Sequence, residues 1–385
     1  MRPAIVATAF SILCSAGAFH VRPGHNGGWV RPKPSATVSQ SQSRRKSSES
    51  LSMVLTTRNE RVTSTNTRVE TTVPNANGAA VLESWQYKLL DYLFSIPLFN
   101  QALFGVFRSQ QVVKAEKMGI KWTAFLEDLN RNKDSLMRIQ EDLTDATLNI
   151  PQYYFAPIHA YEDGNLCWDS AMEEDLWSKL MIAPLFNNSV HGDVMMRKDW
   201  IDTCLKYVGA NEVKNVIDLG CGTGLSMYMV QAAWPGAQLL GVDMSTYKLA
   251  ISQAKLEKKP ASVRSKVTLR HAPAEETGEP AAMYDLATIC LVNHESPAWV
   301  SRAIFKEAFR LLRPGGVFTI LDLDKNNLAI LLENPFVAAV YKQTEPYMPE
   351  YMNFDINQAL EDEGFEVMEV RNTSPSHIAV IARKM

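Results

Sequence analysis

Apolar residues change their period several times along this 385-residue chain. Within 213–321 they fall in short continuous runs, at 213–219, 238–242, 266–270, 285–291 and 316–321, separated by stretches of helical period. Runs of that length between helices predict buried parallel strands, and their alternation predicts a doubly wound α/β sheet. Near the end, residues 365–370 and 377–382 read as two alternating strands. A turn rich in Asn, Ser and Pro at 371–376 joins them, so the last two strands are predicted to form an antiparallel hairpin. Upstream the pattern is helical. Residues 82–118 are dominated by apolar and aromatic side chains, and 92–107 carry no charge and are interrupted by Pro97. Sixteen residues fall short of the roughly 20 that a spanning helix needs. Trp85, Tyr92, Phe94, Phe99, Phe104 and Phe107 instead suit helices buried against the core or, in the alternative reading, lying at a membrane interface. Residues 118–148 read as a charged amphipathic helical region with a solvated face.

The first strand of the sheet ends in chemistry. VIDLGCGTG, residues 216–224, runs from apolar residues through Asp218 into glycines at 220, 222 and 224. Such a strand turns tightly into a helix whose first amides face an anionic or polar ligand. Asp243 closes the next strand about 20 residues on, the spacing at which a carboxylate meets both ribose hydroxyls. The glycines are spaced G-x-G-x-G, where a dinucleotide site wants G-x-G-x-x-G. The stretch resembles the first motif of S-adenosylmethionine (SAM) dependent methyltransferases. Further matches follow in order at Gly241-Val242-Asp243-Met244-Ser245, Ala272-Pro273-Ala274-Glu275, Tyr284-Asp285-Leu286 and Arg310-Leu311-Leu312-Arg313-Pro314-Gly315-Gly316.

That resemblance implies the seven-stranded, Rossmann-like class I sheet with its terminal hairpin, preceded by an N-terminal helical region. It also implies SAM as cofactor. Asp218, Gly220, Cys221, Gly222, Thr223 and Gly224 would form the loop around the amino acid portion, Asp243 would hold the ribose and Met244 would cover the adenine. Ala274 and Glu275 would reach the adenine's polar edge, and Cys290 and Leu291 would flank the sulfonium. Residues 151–175, dense in Tyr, His, Trp and Pro, fall where such enzymes place a lid. Together with Thr344-Glu345-Pro346-Tyr347 they resemble methyltransferase-like proteins of plants and cyanobacteria.

Composition narrows compartment and partners. Arg2, the apolar run 4–13 and Ala16-Gly17-Ala18 have the form of a signal peptide, and 19–58 are rich in Ser, Arg and Lys with Glu49 the one acid. The pair resembles the bipartite presequence of algae with secondary plastids, with a plain secretory signal as the alternative. The expected organisation is therefore a presequence at 1–60, a helical and lid region at 61–200, and a methyltransferase domain at 201–385. Of 39 basic and 42 acidic residues the first 60 hold eight and two, leaving 31 against 40, a net charge of −9. No basic stripe is present, so nucleic acid is not expected as a partner. The oligomeric state is open. Cys167, Cys204, Cys221 and Cys290 have no paired spacing, and His159, His191, His271, His294 and His377 are scattered, so no metal is predicted.

Methyl transfer from a sulfonium depends mostly on alignment and desolvation. A phenol, amine or carbon acceptor also wants a base, and His294 and Glu295, just past the fourth strand, are the best placed by sequence. Tyr154 and His159 are the further candidates, and Tyr154, His159 or Arg302 would hold a substrate carboxylate. The acceptor is expected to be a small molecule. One reading is S-methylation of a hydroxy thioether acid on the route to a sulfonium osmolyte such as dimethylsulfoniopropionate. The other is C- or O-methylation of a prenylated quinone, since 286–297 with 310–316 resembles quinone methyltransferases and the aromatic helices suit a lipophilic substrate. A SAM-binding protein without catalysis is the reading outside the enzyme class.

Overall fold

The structure, a computed structural model, describes residues 81, 84–209 and 212–385. The presequence expected at 1–60 lies outside them.

The five apolar runs and the terminal alternation form one sheet of seven strands: β1 (Asn215–Leu219), β2 (Gln238–Asp243), β3 (Val267–His271), β4 (Tyr284–Cys290), β5 (Leu312–Leu323), β6 (Phe365–Ser374) and β7 (His377–Lys384). Their spatial order is β3-β2-β1-β4-β5-β7-β6. The first five run parallel, whereas β7 pairs antiparallel with both β5 and β6. This is the doubly wound sheet with a terminal hairpin that the pattern predicts. The hairpin turns later than expected, because β6 continues to Ser374 and pairs there with His377. Asn372 and Thr373, turn formers by composition, are strand residues in this context.

Side-chain alternation sorts the sheet into two cores. Ile217, Leu219, Val242, Ile289, Phe318 and Val380 pack on one face with the Ala298–Leu311 and Ile356–Asp362 helices. Their neighbours Val216, Leu239, Leu286, Val317 and Ile381 pack on the other with the Gly192–Leu205, Met227–Ala233 and Thr246–Glu257 helices. Covered on both faces, the inner strands β1, β2 and β4 are buried along nearly their whole length, whereas the edge strand β3 alternates buried and exposed positions. Trp200 lies fully buried beneath the sheet and its indole N–H donates to Thr319 Oγ1 at 2.7 Å. The Gly192–Leu205 helix thereby belongs to the sheet layer although it crosses the division expected at residue 200.

The aromatic segment forms two helices, Trp85–Phe94 and Pro97–Lys117, bent by 94° where they meet. Phe94 is buried with Phe336 and Ala339 of the Pro335–Thr344 helix, and Lys342 pairs with Asp91 at 2.8 Å. The segment thus builds a small core of its own instead of joining the sheet. Trp85 and Tyr92, expected to be buried, are exposed. Among the described residues no single helix is long and apolar enough to cross a membrane.

Candidate active site

Ligand sites in such sheets open at the carboxyl ends of the parallel strands, beside the point where strand order reverses. Here that point lies between β1 and β4, and a cavity of about 690 Å³ opens above it. Its floor is the β1 loop. The amides of Gly220 and Cys221 both donate to Val242 O at 2.9 Å, folding the loop across the end of β2. Gly220 and Gly222 take positive φ, +73° and +52°. A Cβ on Gly220 would meet Val292 Cγ2 at 2.7 Å, and one on Gly222 would meet Glu174 Oε1 at the same distance. Only glycine leaves the floor open.

Asp243, at the end of β2, is buried and faces this loop. Its Oδ2 accepts from Gly222 N at 2.7 Å and its Oδ1 from Ser245 N at 2.8 Å. Burial raises its carboxyl above the usual range despite Lys248 and these amides. Tyr154 hangs over it, the hydroxyl 3.4 Å from Oδ1. Asp218 sits deeper and its carboxyl accepts from Thr288 Oγ1; burial pushes it up to about 7. Met244, Ala274, Glu275, Cys290 and Leu291 also line the cavity, and Glu275 accepts from Tyr153 Oη at 2.6 Å. Burial pushes the Cys290 thiol up to about 11, so it is a neutral wall residue. Thr223 and Gly224 do not line the cavity. Thr223 points behind the loop, its hydroxyl 2.9 Å from Glu174 Oε1 and 2.7 Å from Asp175 Oδ1.

The far wall is polar and assembled from three segments. His294 and Glu295 follow β4, His159 comes from the 151–175 segment, and Glu345 follows the Pro335–Thr344 helix. His159 Nε2 lies 3.2 Å from Glu295 Oε1 and 3.1 Å from Glu345 Oε1. His294 Nε2 lies 3.9 Å from Glu295 Oε1, while its Nδ1 is fixed 2.6 Å from Asp322 Oδ1 at the end of β5. Asp322 is itself held by the amides of Asn293 and Leu323. Burial alone would favour neutral His294, but the Asp322 carboxylate outweighs it and pushes the imidazole up to about 9. Glu295 is held low, since the charges of His159 and Lys248 overcome its burial, and Asn165 Nδ2 donates to it at 3.0 Å. The backbone of His159 is left-handed, φ +55°, and pinned by its N–H to Thr344 O at 2.7 Å.

Sequence reading named His159, His294, Glu295 and Tyr154 and left them scattered; the fold brings the first three together and sets Tyr154 at Asp243. It missed several residues. Asp322 closes a parallel strand, the position where ligand-facing acids occur, and Glu345 sits in the quoted Thr344–Tyr347 segment. Glu174 braces the loop through Thr223 N at 3.1 Å and pairs with Lys248 at 2.9 Å. Arg197 is buried at the cavity edge, its Nε donating to Ser226 Oγ at 3.0 Å. Arg302 does not reach the cavity and pairs instead with Asp362 on the surface.

Residues 216–316, the loop through the start of β5, match the family model described as "Methyltransferase domain". That stretch, about a quarter of the chain, is similar to a methyltransferase domain. Among curated relatives, a ubiquinone biosynthesis O-methyltransferase of Pseudomonas fluorescens is 34% identical over 140 residues, covering 35% of this chain and 54% of that protein. A chloroplastic 2-phytyl-1,4-beta-naphthoquinone methyltransferase of Arabidopsis thaliana is 25% identical over 201 residues, 49% and 74% of the two chains. This chain spans about half the length of the ubiquinone O-methyltransferases it matches. A solved SAM-dependent methyltransferase from Aquifex aeolicus is similar over 48% of this chain and 89% of its own, at 19% identity and a TM-score of 0.37. The chemistry of the cavity suits SAM: glycines at positions a Cβ would fill, a buried carboxylate at the end of β2, and the wall residues Cys290 and Leu291 between the floor and the polar far wall.

Proposed function

We propose that the protein transfers the methyl group of SAM to a small-molecule acceptor whose polar end rests on His159, His294, Glu295 and Glu345. One observation carries this reading: a single cavity joins the glycine floor and Asp243 to that imidazole–carboxylate wall. When bound, SAM supplies a methyl group activated on a sulfonium. The residues of this chain hold it in place, exclude water and orient the acceptor, which is where most of the rate of such a displacement originates. Asp243 would hold the ribose, Asp218 the amino group, and Arg197 the carboxylate.

The acceptor we favour is a small 2-hydroxy acid bearing a thioether. Its sulfur needs no base: a new C–S bond forms as the old one breaks, and positive charge passes from one sulfonium to the other. Glu174, Glu295 and Glu345 line the cavity and suit a cationic product. A second reading, a prenylated quinol, is favoured by the apolar mouth built from Phe104, Phe107, Met181 and Val340, and by the printed names of the relatives. There the hydroxyl would give its proton to Glu295 as the new C–O bond forms and the methyl–sulfonium C–S bond breaks. We read the described residues before the Gly192–Leu205 helix as the acceptor-binding lid region and the sheet with its helices as the cofactor domain, in a plastid, which the composition of 1–60 and the chloroplastic relative support. The test is incubation with methyl-labelled SAM and each acceptor class. Label in an aqueous sulfonium supports the first acceptor, label in the organic phase the second, and SAM binding without transfer to either refutes both.

A further inference from the structure

The far wall has a composition that its role as a polar surface leaves unused. His159, His294 and Glu345 each offer one ligand atom, and the three atoms lie within 4.8 Å of one another. Donors about 2.0–2.1 Å from a tetrahedral ion stand roughly 3.3 Å apart. The 3.1 Å between His159 Nε2 and Glu345 Oε1 already matches that spacing, and the 3.2 Å to Glu295 Oε1 offers a fourth ligand atom. A second observation is independent of these distances. Glu345 is more than nine-tenths buried, and its Oε2 has no hydrogen-bond partner among the described residues. An unpaired carboxylate oxygen at such depth costs free energy unless a cation meets it.

The support behind the ligands has the form that metal sites use. His294 presents Nε2 to the cluster because Nδ1 is held by Asp322, and Asp322 is held in turn by two backbone amides. A carboxylate behind a histidine fixes its tautomer and aims the ring at an ion. His159 is carried into place by a left-handed backbone pinned to Thr344, next to Glu345. Two imidazoles and a carboxylate with room for further ligands form a zinc-type set in which an open position takes a substrate atom.

We propose that His159, His294 and Glu345 bind a divalent transition metal ion on the cavity wall, and that this ion docks the acceptor through two neighbouring oxygens. A 2-hydroxy acid and a quinol with adjacent, catechol-type oxygens share that oxygen pair, so one ion serves the first acceptor of the function proposed above and the catechol-type form of the second; the docking role rests on that function. In both cases it anchors an oxygen-rich end that would otherwise meet the carboxylates of Glu295 and Glu345.

The test is equilibrium dialysis of the full-length chain against Zn²⁺ and Co²⁺, with the visible spectrum of bound Co²⁺ recorded and SAM binding measured in parallel. The expected result is one ion per chain, bound at least about 100-fold more weakly by His159→Ala and by Glu345→Gln, and unchanged by Glu307→Gln, a residue tied to Thr277 and Arg310 away from the cavity. Both wall variants keep SAM affinity, which shows them folded. Absence of stoichiometric binding, or equal binding in all variants, overturns the metal site while leaving methyl transfer standing if SAM still binds. A shift of the Co²⁺ bands on adding a 2-hydroxy acid or a catechol supports docking and says which acceptor is used. No shift with either overturns the docking role.

Discussion

Asp243 is the residue on which the proposed cofactor binding turns, because its two oxygens tie the loop amide of Gly222 to the start of the next helix at Ser245. Asp243→Ala removes the ribose acceptor and leaves the Gly222 amide without its partner. SAM affinity measured by calorimetry is expected to fall at least 100-fold, about 2.8 kcal/mol, and an unchanged affinity would contradict the assignment. Asp218 behaves differently. Burial pushes its folded pKa up to about 7, above the ordinary value of an exposed carboxyl. The stability it contributes is therefore complete below about pH 4 and is lost as pH rises through 7, where an ionised carboxylate must stay buried. Asp218→Asn is expected to flatten that loss, raising Tm by about 3–6 °C over the wild type at pH 8 and by little at pH 5 in SAM-free protein. Equal slopes in a pH series of thermal melts would refute it. The glycines, Asp218 and Asp243 were legible in the sequence because their chemistry is local: a turn, its φ angles and an acid one strand on. Glu345 and Asp322 were not, since nothing near either in the chain announces that they meet His159 and His294.

Among elements, the Trp168–Ile182 helix does work that no periodicity reveals. It is buried over most of its surface and extends Glu174 under the glycine loop, where Thr223 N–H and Lys248 meet it. Burial would raise the Glu174 carboxyl, but Lys248 outweighs it and holds the group down to about 2. Glu174→Gln removes the charge and the Lys248 pair. It is expected to weaken SAM about tenfold, near 1.4 kcal/mol, with the far-UV spectrum unchanged; full affinity would leave the helix a packing element only. The aromatic helices form a separate core around Phe94 and Phe336. Phe94→Ala, a loss of about 3–5 kcal/mol of local packing, is expected to speed amide exchange in Trp85–Phe94 and Pro335–Thr344 while β1 to β5 stay protected. Exchange rising throughout the sheet would show one cooperative unit instead. Strands buried on both faces were legible as apolar runs. The exposure of Trp85 and Tyr92 was not, because an aromatic stripe specifies that something is covered without specifying which helix covers it.

At the scale of the whole molecule the sheet supplies a rigid floor and the segments outside it supply the wall. The parallel strands set Asp218, Asp243 and Asp322 at one edge, and the 151–175 segment and the Pro335–Thr344 helix bring His159 and Glu345 over them. That order, floor from local motifs and wall from distant segments, is why a cofactor is readable from this sequence and an acceptor is not. The acidic balance of the chain beyond residue 60 is consistent with a small-molecule acceptor. The most direct measurement is transfer of label from methyl-labelled SAM to a hydroxy thioether acid and to a quinol by the full-length protein, with Asp243→Ala as control. The account predicts labelled product from one acceptor and none from the variant. SAM bound with normal affinity and no label in either acceptor would contradict it.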